Sequence, residues 1–348
     1  MKYLYILLIF IPVTLAGKFM GFSDPMLFLC SSLAIIPLAG VMGKSTDDIA
    51  CFCGQKIGGL LNATFGNATE LIIAFVAMKA GMFDVVKASL AGSVIGNILL
   101  VLGMSMFAGG LKYKKQTFSR DSINITSSML LLAVLGLSIP AIFTHTLPER
   151  SLTAQYEGLN IIIAVLMLVV YVSQFIFTFV THRSLYEETV PDEEEGHKAS
   201  LPRAIVLLIA STICIAVLSE IFVATVEPMA ESAGLHKTFV GIILVPIIGN
   251  AAEHSSAIIM AVKNKMNAAI EIALGSSLQI ILFVVPVLIL LSLFFTPMSI
   301  VFTPFELVAL VGSVLIANSV VSDGESNWLE GLQLIIVYII IGAAFFFV

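Results

Sequence analysis

The sequence predicts an all-α polytopic membrane protein of about eleven transmembrane helices. Two observations carry that expectation. Of 348 residues, 59% are hydrophobic and 11% charged, with a mean hydropathy of +1.06, whereas an ordinary soluble domain carries about 25% charge. The apolar runs are also continuous and close to the ~20 residues that cross a bilayer core, rather than alternating with the period of two expected of barrel strands.

Taken in order, the stretches lie near 3–20, 26–43, 57–80, 85–110, 122–143 and 157–181, then near 201–229, 238–262, 267–295, 304–322 and 327–348. The first has a second reading as a cleaved leader, since Lys2 precedes a run reaching Ala16 and Gly17, but that run is long for one. With the N-terminus in the cytoplasm, the inside receives Lys2, Lys44, Lys56, Lys112, Lys114, Lys115, Arg120, Arg183, Lys198, Arg203, Lys263 and Lys265. The outside keeps Lys18, Lys79, Lys87, Arg150 and Lys237, as the positive-inside bias requires, and the C-terminus faces out.

Much of the net charge of -6 comes from Glu187, Glu188, Asp192, Glu193, Glu194 and Glu195. Such an acidic run reads as a solvated cytoplasmic hinge, or alternatively as a cation-attracting or regulatory loop. It divides the chain into an extra N-terminal helix (1–22), a first five-helix repeat (23–182), an acidic linker (183–200) and a second five-helix repeat (201–348). Cys30, Cys51, Cys53 and Cys214 lack zinc-ligand spacing and read as structural. No protease, nucleotide or dinucleotide signature is present in its required context, so neither an enzyme nor a nucleic-acid partner is expected.

Gly66-Asn67-Ala68-Thr69-Glu70 recurs as Gly249-Asn250-Ala251-Ala252-Glu253. The offset that aligns these copies also superimposes Gly58 on Gly241, Leu61 on Leu244 and Ala74 on Ala257. One copy lies in the third stretch and the other in the eighth, so the halves enter the membrane from opposite sides as inverted repeats. Secondary transporters use that architecture, with sites near the midplane on discontinuous helices; Gly66 and Gly249 supply the expected breaks.

An ionised acid at the membrane centre costs about 2.5 to 3.5 kcal/mol on insertion scales, so each glutamate needs compensation. A divalent cation between Glu70 and Glu253 supplies it, and so do protons; competition between the two loads is antiport. Asn67 and Asn250 add neutral oxygens, matching the hard coordination of calcium. The following helices add Gly92-Ser93-Val94-Ile95-Gly96-Asn97 and Gly275-Ser276-Ser277-Leu278-Gln279. Asn97 and Gln279, long amides in apolar helices, read as further site oxygens, while Ser93 and Ser276 are either accessory groups or packing positions. His254 either couples protons, being the side chain that titrates near neutrality, or packs against a neighbour. Glu220 and Glu227 form an outer antechamber or mark an interface. Glu271, Glu306, Asp323 and Glu330 lie close to predicted helix ends and carry no assigned role.

GNATE with GSVIGN, and GNAAEH with GSSLQ, together with Ser219-Glu220, Glu227 and the segment Asp323 to Gly331, resemble the calcium/proton exchanger family of the calcium:cation antiporter superfamily. The resemblance spans nearly the whole chain. It implies two five-helix repeats behind an extra first helix, export of cytosolic Ca2+ against H+, and alternate binding of the two loads at Glu70 and Glu253. Ca2+ is then a transported substrate and no cofactor is expected. A sodium-coupled calcium exchanger and a calcium channel are the alternatives, and neutral Asn97 and Gln279 favour protons over sodium. Short loops place the protein in a bacterial cytoplasmic membrane, as a possible homo-oligomer.

Overall fold

The computed structural model describes residues 4–146, 152–182, 200–299 and 301–347. A 3-10 turn at Leu4–Ile9 enters α1 (Phe10–Met20), which Gly21 closes at φ 74°. The first series continues with α2 (Asp24–Phe65), α3 (Ala68–Lys79), α4 (Phe83–Lys112), α5 (Arg120–Thr146) and α6 (Leu152–Ile176), which runs into a π turn at Phe177–Thr181. The second comprises α7 (Leu201–Ser232), α8 (Lys237–Gly249), α9 (Ala251–Val262), α10 (Met266–Ser292), α11 (Pro304–Val321) and α12 (Trp328–Phe347). Residues 183–199 of the acidic linker lie outside the described residues.

Among the described residues, eight helices are long and apolar enough to cross a membrane, or nine if the bent pair α8 and α9 is one span. The expected count of eleven is therefore not reached on length. The 3–20 stretch yields only the shorter apolar helix Tyr5–Met20, and the 57–80 stretch is divided at Gly66 and Asn67 between the end of α2 and the 12-residue α3.

Although α2 counts 42 residues, it is not one rod. The Asp47 carboxyl lies within reach of the Asn62 side chain, and a Cβ on Gly58 would fall 2.9 Å from the Ala50 carbonyl oxygen. In a straight helix rising 1.5 Å per residue, those pairs would stand roughly 22 and 12 Å apart. The chain doubles back between them, so the expected separation of 26–43 from the start of 57–80 survives inside a continuous run of helical residues.

Side-chain contacts give the helix directions. Phe28 stacks on Phe222 with ring centroids 5.0 Å apart, and Thr212 Oγ1 donates to Met42 Sδ at 3.7 Å, so α2 and α7 are antiparallel. At one end of the molecule, Lys112 Nζ donates to Val262 O at 2.9 Å, and Gln116–Thr117 pairs antiparallel with Glu325–Ser326 ahead of α12. At the other, Lys87 meets Asp84 at 3.0 Å and Lys237 meets Glu227 at 3.7 Å. Following these directions, Lys44, Lys112, Lys114, Lys115, Arg120, Arg203, Lys263 and Lys265 gather at the first end. Lys18, Lys79, Lys87 and Lys237 gather at the second.

The most deeply buried spans are α4 and α10, and the least are α6 and α12. Each of the two central helices carries a π turn, at Gly96–Val101 and Ile280–Val284, the kind of local widening that often accompanies a functional site. Their polar blocks abut the breaks between α2 and α3 and between α8 and α9, and this places the site.

Candidate functional site

Each copy of the pentapeptide ends one helix and begins another. Asn67 and Asn250 are the N-caps of α3 and α9, with φ −101°, ψ 23° and φ −92°, ψ 7°, in the sparsely allowed bridge region. Gly66 remains helical at φ −54°, and Gly249 is the last residue of α8. The breaks expected at Gly66 and Gly249 thus belong to the asparagines, because it is their backbone that leaves the helix. Gly249 lies against the opposite half: a Cβ there would stand 3.5 Å from Glu70 Oε1, an ordinary contact distance. α9 departs from α8 at 62°.

Glu70 and Glu253 fall in the first turns of α3 and α9, where free N–H groups and the helix dipole favour negative charge. The two carboxyls lie close enough to interact through their charges. Glu70 is 7% exposed, whereas Glu253 is partly exposed.

Around them the amides and hydroxyls cross-link the halves. Ser276 Oγ donates to Asn67 Oδ1 at 2.7 Å, Asn67 Nδ2 donates to Gln279 Oε1, and Asn97 Nδ2 donates to Ser276 Oγ at 3.2 Å. Asn250 Nδ2 donates to Ser93 Oγ at 3.1 Å and to Pro246 O at 3.1 Å. The Ser276 hydroxyl also lies within reach of the Glu253 carboxyl; with one proton to donate, it serves Asn67 or Glu253 but not both. Ser93 and Ser276 are therefore hydrogen-bonding members of the cluster rather than mere packing positions.

Three oxygens of this cluster, Glu70 Oε2, Glu253 Oε2 and Asn250 Oδ1, are buried without a hydrogen-bond partner. Such atoms are costly in an apolar interior, which makes the cluster an acceptor set suited to a cation or to protons. Among the described residues no group of three or more His, Cys, Asp or Glu is arranged to hold a metal ion, so any cation here would depend on the two carboxyls, amides and backbone oxygens. His254 Nε2 is likewise buried without a partner; the neighbour that a packing role would give that atom is not there.

Other expected residues stand apart. Glu220 is exposed on α7, and Glu227 pairs with Lys237 at the far end of the molecule. Glu306 is 4% exposed and forms a capping box with Thr303. Glu271, given no role from the sequence, reaches the Ser122 side chain, and its Oε1 is buried with no partner. An acid in an apolar helix five residues before Ser276 was the available signal. The cysteines are free.

Fold and site together define a polytopic helical membrane protein in which two short helices, started by one repeated motif, bring an acid pair into a lattice of amides and hydroxyls. The model of the sodium/calcium exchanger protein family matches residues 24–180 and 203–347, and the chain belongs to that family. It is similar to a Ca(2+)/H(+) antiporter of Aphanothece halophytica, at 45% identity covering 98% of this chain and 95% of the relative. The Ca(2+)/H(+) antiporter ChaA of Bacillus subtilis is also 45% identical, over 97% of this chain and 96% of its own length. Among solved structures, native YfkE matches with a TM-score of 0.86 at 41% identity, covering 99% of this chain and 100% of that one.

Proposed function

We propose that the protein is a secondary antiporter that exports cytosolic Ca2+ in exchange for H+, with Glu70 and Glu253 near the bilayer midplane binding the two loads in turn. The observation that carries this reading is the trio of unpartnered buried oxygens on Glu70, Glu253 and Asn250. Ca2+, which prefers oxygen ligands, would neutralise both acids at once, and a proton on each would do the same. The loads exclude one another, and that exclusion is the coupling. The activities named for the two bacterial relatives support the choice of ions.

Asn67, Asn97 and Gln279 are assigned as further oxygen donors. Oδ1 of Asn67 and Oε1 of Gln279 accept hydrogen bonds in this conformation, so their ligation requires partners to be exchanged. Ser93 and Ser276 hold the asparagines, and His254 relays protons beside Glu253. The two five-helix halves act as inverted repeats, and rocking of the helices flanking the site exposes it to each side in turn. Basic residues concentrated at the Lys112 end support reading that end as cytoplasmic, with the N-terminus inside and the C-terminus outside a bacterial cytoplasmic membrane. Ca2+ is a transported substrate, and the protein is a transporter rather than an enzyme.

Proteoliposomes holding the purified protein test this with a pH gradient in the absence of sodium and, in parallel, a sodium gradient at uniform pH. Flux driven by pH and lost in Glu70→Gln is expected. Flux only with sodium would move the assignment to a sodium-coupled exchanger, as the family description allows, and flux with neither gradient would indicate a channel. Because Ca2+ binds the ionised carboxylates, lowering pH on the Ca2+-loading side should raise the apparent KM for Ca2+, and raising pH there should lower it.

A further inference from the structure

The helix that carries Glu253 is anchored at its far end by groups outside the repeated motifs. Gln116 Nε2 donates to Ala261 O at 2.9 Å and to Asn264 Oδ1 at 2.9 Å. Val262 O accepts from Lys112 Nζ at 2.9 Å and from the Tyr113 hydroxyl at 3.4 Å. These are the last carbonyls of α9, and Ala261 O also accepts from the Asn264 N–H at 3.0 Å, so the side chains add an outside grip to a helix end that its own turn closes. Gln116 is 2% exposed, and a Cβ on Gly109 would collide with its Oε1, so the amide is wedged between α4 and the end of α9. Asn264 is, among the described residues, the one non-glycine with positive φ, at 62°. It closes the helix in the left-handed conformation and presents its oxygen to Gln116. Gln116 is held in turn by its pairing with Ser326, beside the ion pair of Lys115 with Glu325.

The helix that carries Glu70 closes with the same backbone turn, the N–H groups of Ala80, Gly81 and Met82 taking Val76, Met78 and Ala77 O as those of Lys263, Asn264 and Lys265 take Ile259, Ala261 and Met260 O; among the described residues, however, no side chain from another element bonds its last carbonyls. The contrast matters mechanically. With 12 residues, α9 is about 18 Å long, and it begins at the Asn250 break where it leaves α8 at 62°. A short rod hinged at one end is steered by whatever holds the other, and displacements near 1 Å are enough to spoil a binding geometry.

We propose that Gln116 is a positioning residue for cation binding: by gripping Ala261 O and Asn264 Oδ1 it fixes the direction of α9, and so the placement of the Glu253 carboxyl opposite Glu70. This rests on the reading of Glu70 and Glu253 as the cation site. Wild-type protein that shows no saturable Ca2+ uptake under a pH gradient would remove that reading itself, so the variants are compared only on an active wild type.

The measurement is the apparent KM and Vmax for Ca2+ in proteoliposomes, with Vmax normalised to protein that elutes as a single folded species. Gln116→Leu should raise KM by about three- to tenfold, the range set by one or two lost hydrogen bonds, with Vmax within about twofold of wild type. Asn264→Asp keeps the accepting oxygen and should stay close to wild type. Asn264→Gly keeps the left-handed backbone but loses the acceptor, and should move KM in the same direction as Gln116→Leu by a smaller factor. A purely structural junction would lower folded yield or Vmax and leave KM alone. An unchanged KM in Gln116→Leu, or in Asn264→Gly should the first variant not fold, overturns the proposal.

Discussion

The two copies of one pentapeptide sit in unlike surroundings. Around the first, Ala68, Thr69 and Glu70 are all buried, and both polar side-chain atoms of Asn67 are engaged. Around the second, Glu253 and His254 are partly exposed, Ser255 and Ser256 are exposed, and Asn250 Oδ1 has no partner. The glycines that precede the serines diverge as well. A Cβ on Gly92 would overlap the Ile242 carbonyl, while one on Gly275 would meet nothing within 4 Å. Repetition of the sequence sets which groups meet, and the neighbouring helices decide which copy is rigid and which can rearrange.

The largest effect should be common to both copies. Glu70→Gln and Glu253→Gln should each abolish Ca2+/H+ exchange while membrane insertion persists, since neither amide can carry the charge that a divalent cation must meet. Shortening the acids should separate the copies. Glu70→Asp leaves a gap in a buried setting that its neighbours fill poorly, whereas the partly exposed Glu253 site admits water, so Glu253→Asp should retain the greater Ca2+ flux. Equal residual flux from the two aspartate variants would break the distinction.

The glycine pair should give the next largest difference, read as stability. Gly92→Ala forces a methyl onto the Ile242 backbone where α4 packs on α8 and should cost about 1–3 kcal/mol, the usual range for overpacking. Gly275→Ala has open space and should be close to neutral. Thermal unfolding of the detergent-solubilised proteins measures both, and matching Tm values would mean that the two central helices are held alike.

How far the sequence could be read follows from the range of each interaction. Local signals sufficed for the long apolar spans, for the Glu70 and Glu253 copies, and for the idea that Asn97 and Gln279 need partners, because a polar group in an apolar helix stands out without any tertiary knowledge. Side-chain geometry was less legible. Gly66 and Gly249 looked like the helix breakers on intrinsic freedom alone, yet Asn67 and Asn250 take the bridging backbone, a choice that intrinsic freedom does not announce. The doubling of α2 brings Asp47 to Asn62 within a run that stays helical throughout, so no break in the helix marks it. The Gln116 bond to Ala261 spans 145 positions, and nothing near either residue announces the other.

The smallest contrast lies between the asparagines, and it should appear as a crossing of two readouts. Asn67→Ala removes two side-chain bonds to Ser276 and Gln279, and interhelical bonds in membrane proteins average about 0.6 kcal/mol, so a loss of about 1 kcal/mol in stability is expected with a modest change in Ca2+ affinity. Asn250→Ala removes one interhelical bond, to Ser93, and one within its own segment, to Pro246 O, but also the unpartnered oxygen, so its Ca2+ KM should rise further than that of Asn67→Ala. Measuring Tm and KM on both variants separates a lattice-forming asparagine from a ligand. If Asn67→Ala instead gives the larger rise in KM, the rearranging copy is the first one, and the assignment of Asn250 Oδ1 as a waiting donor fails.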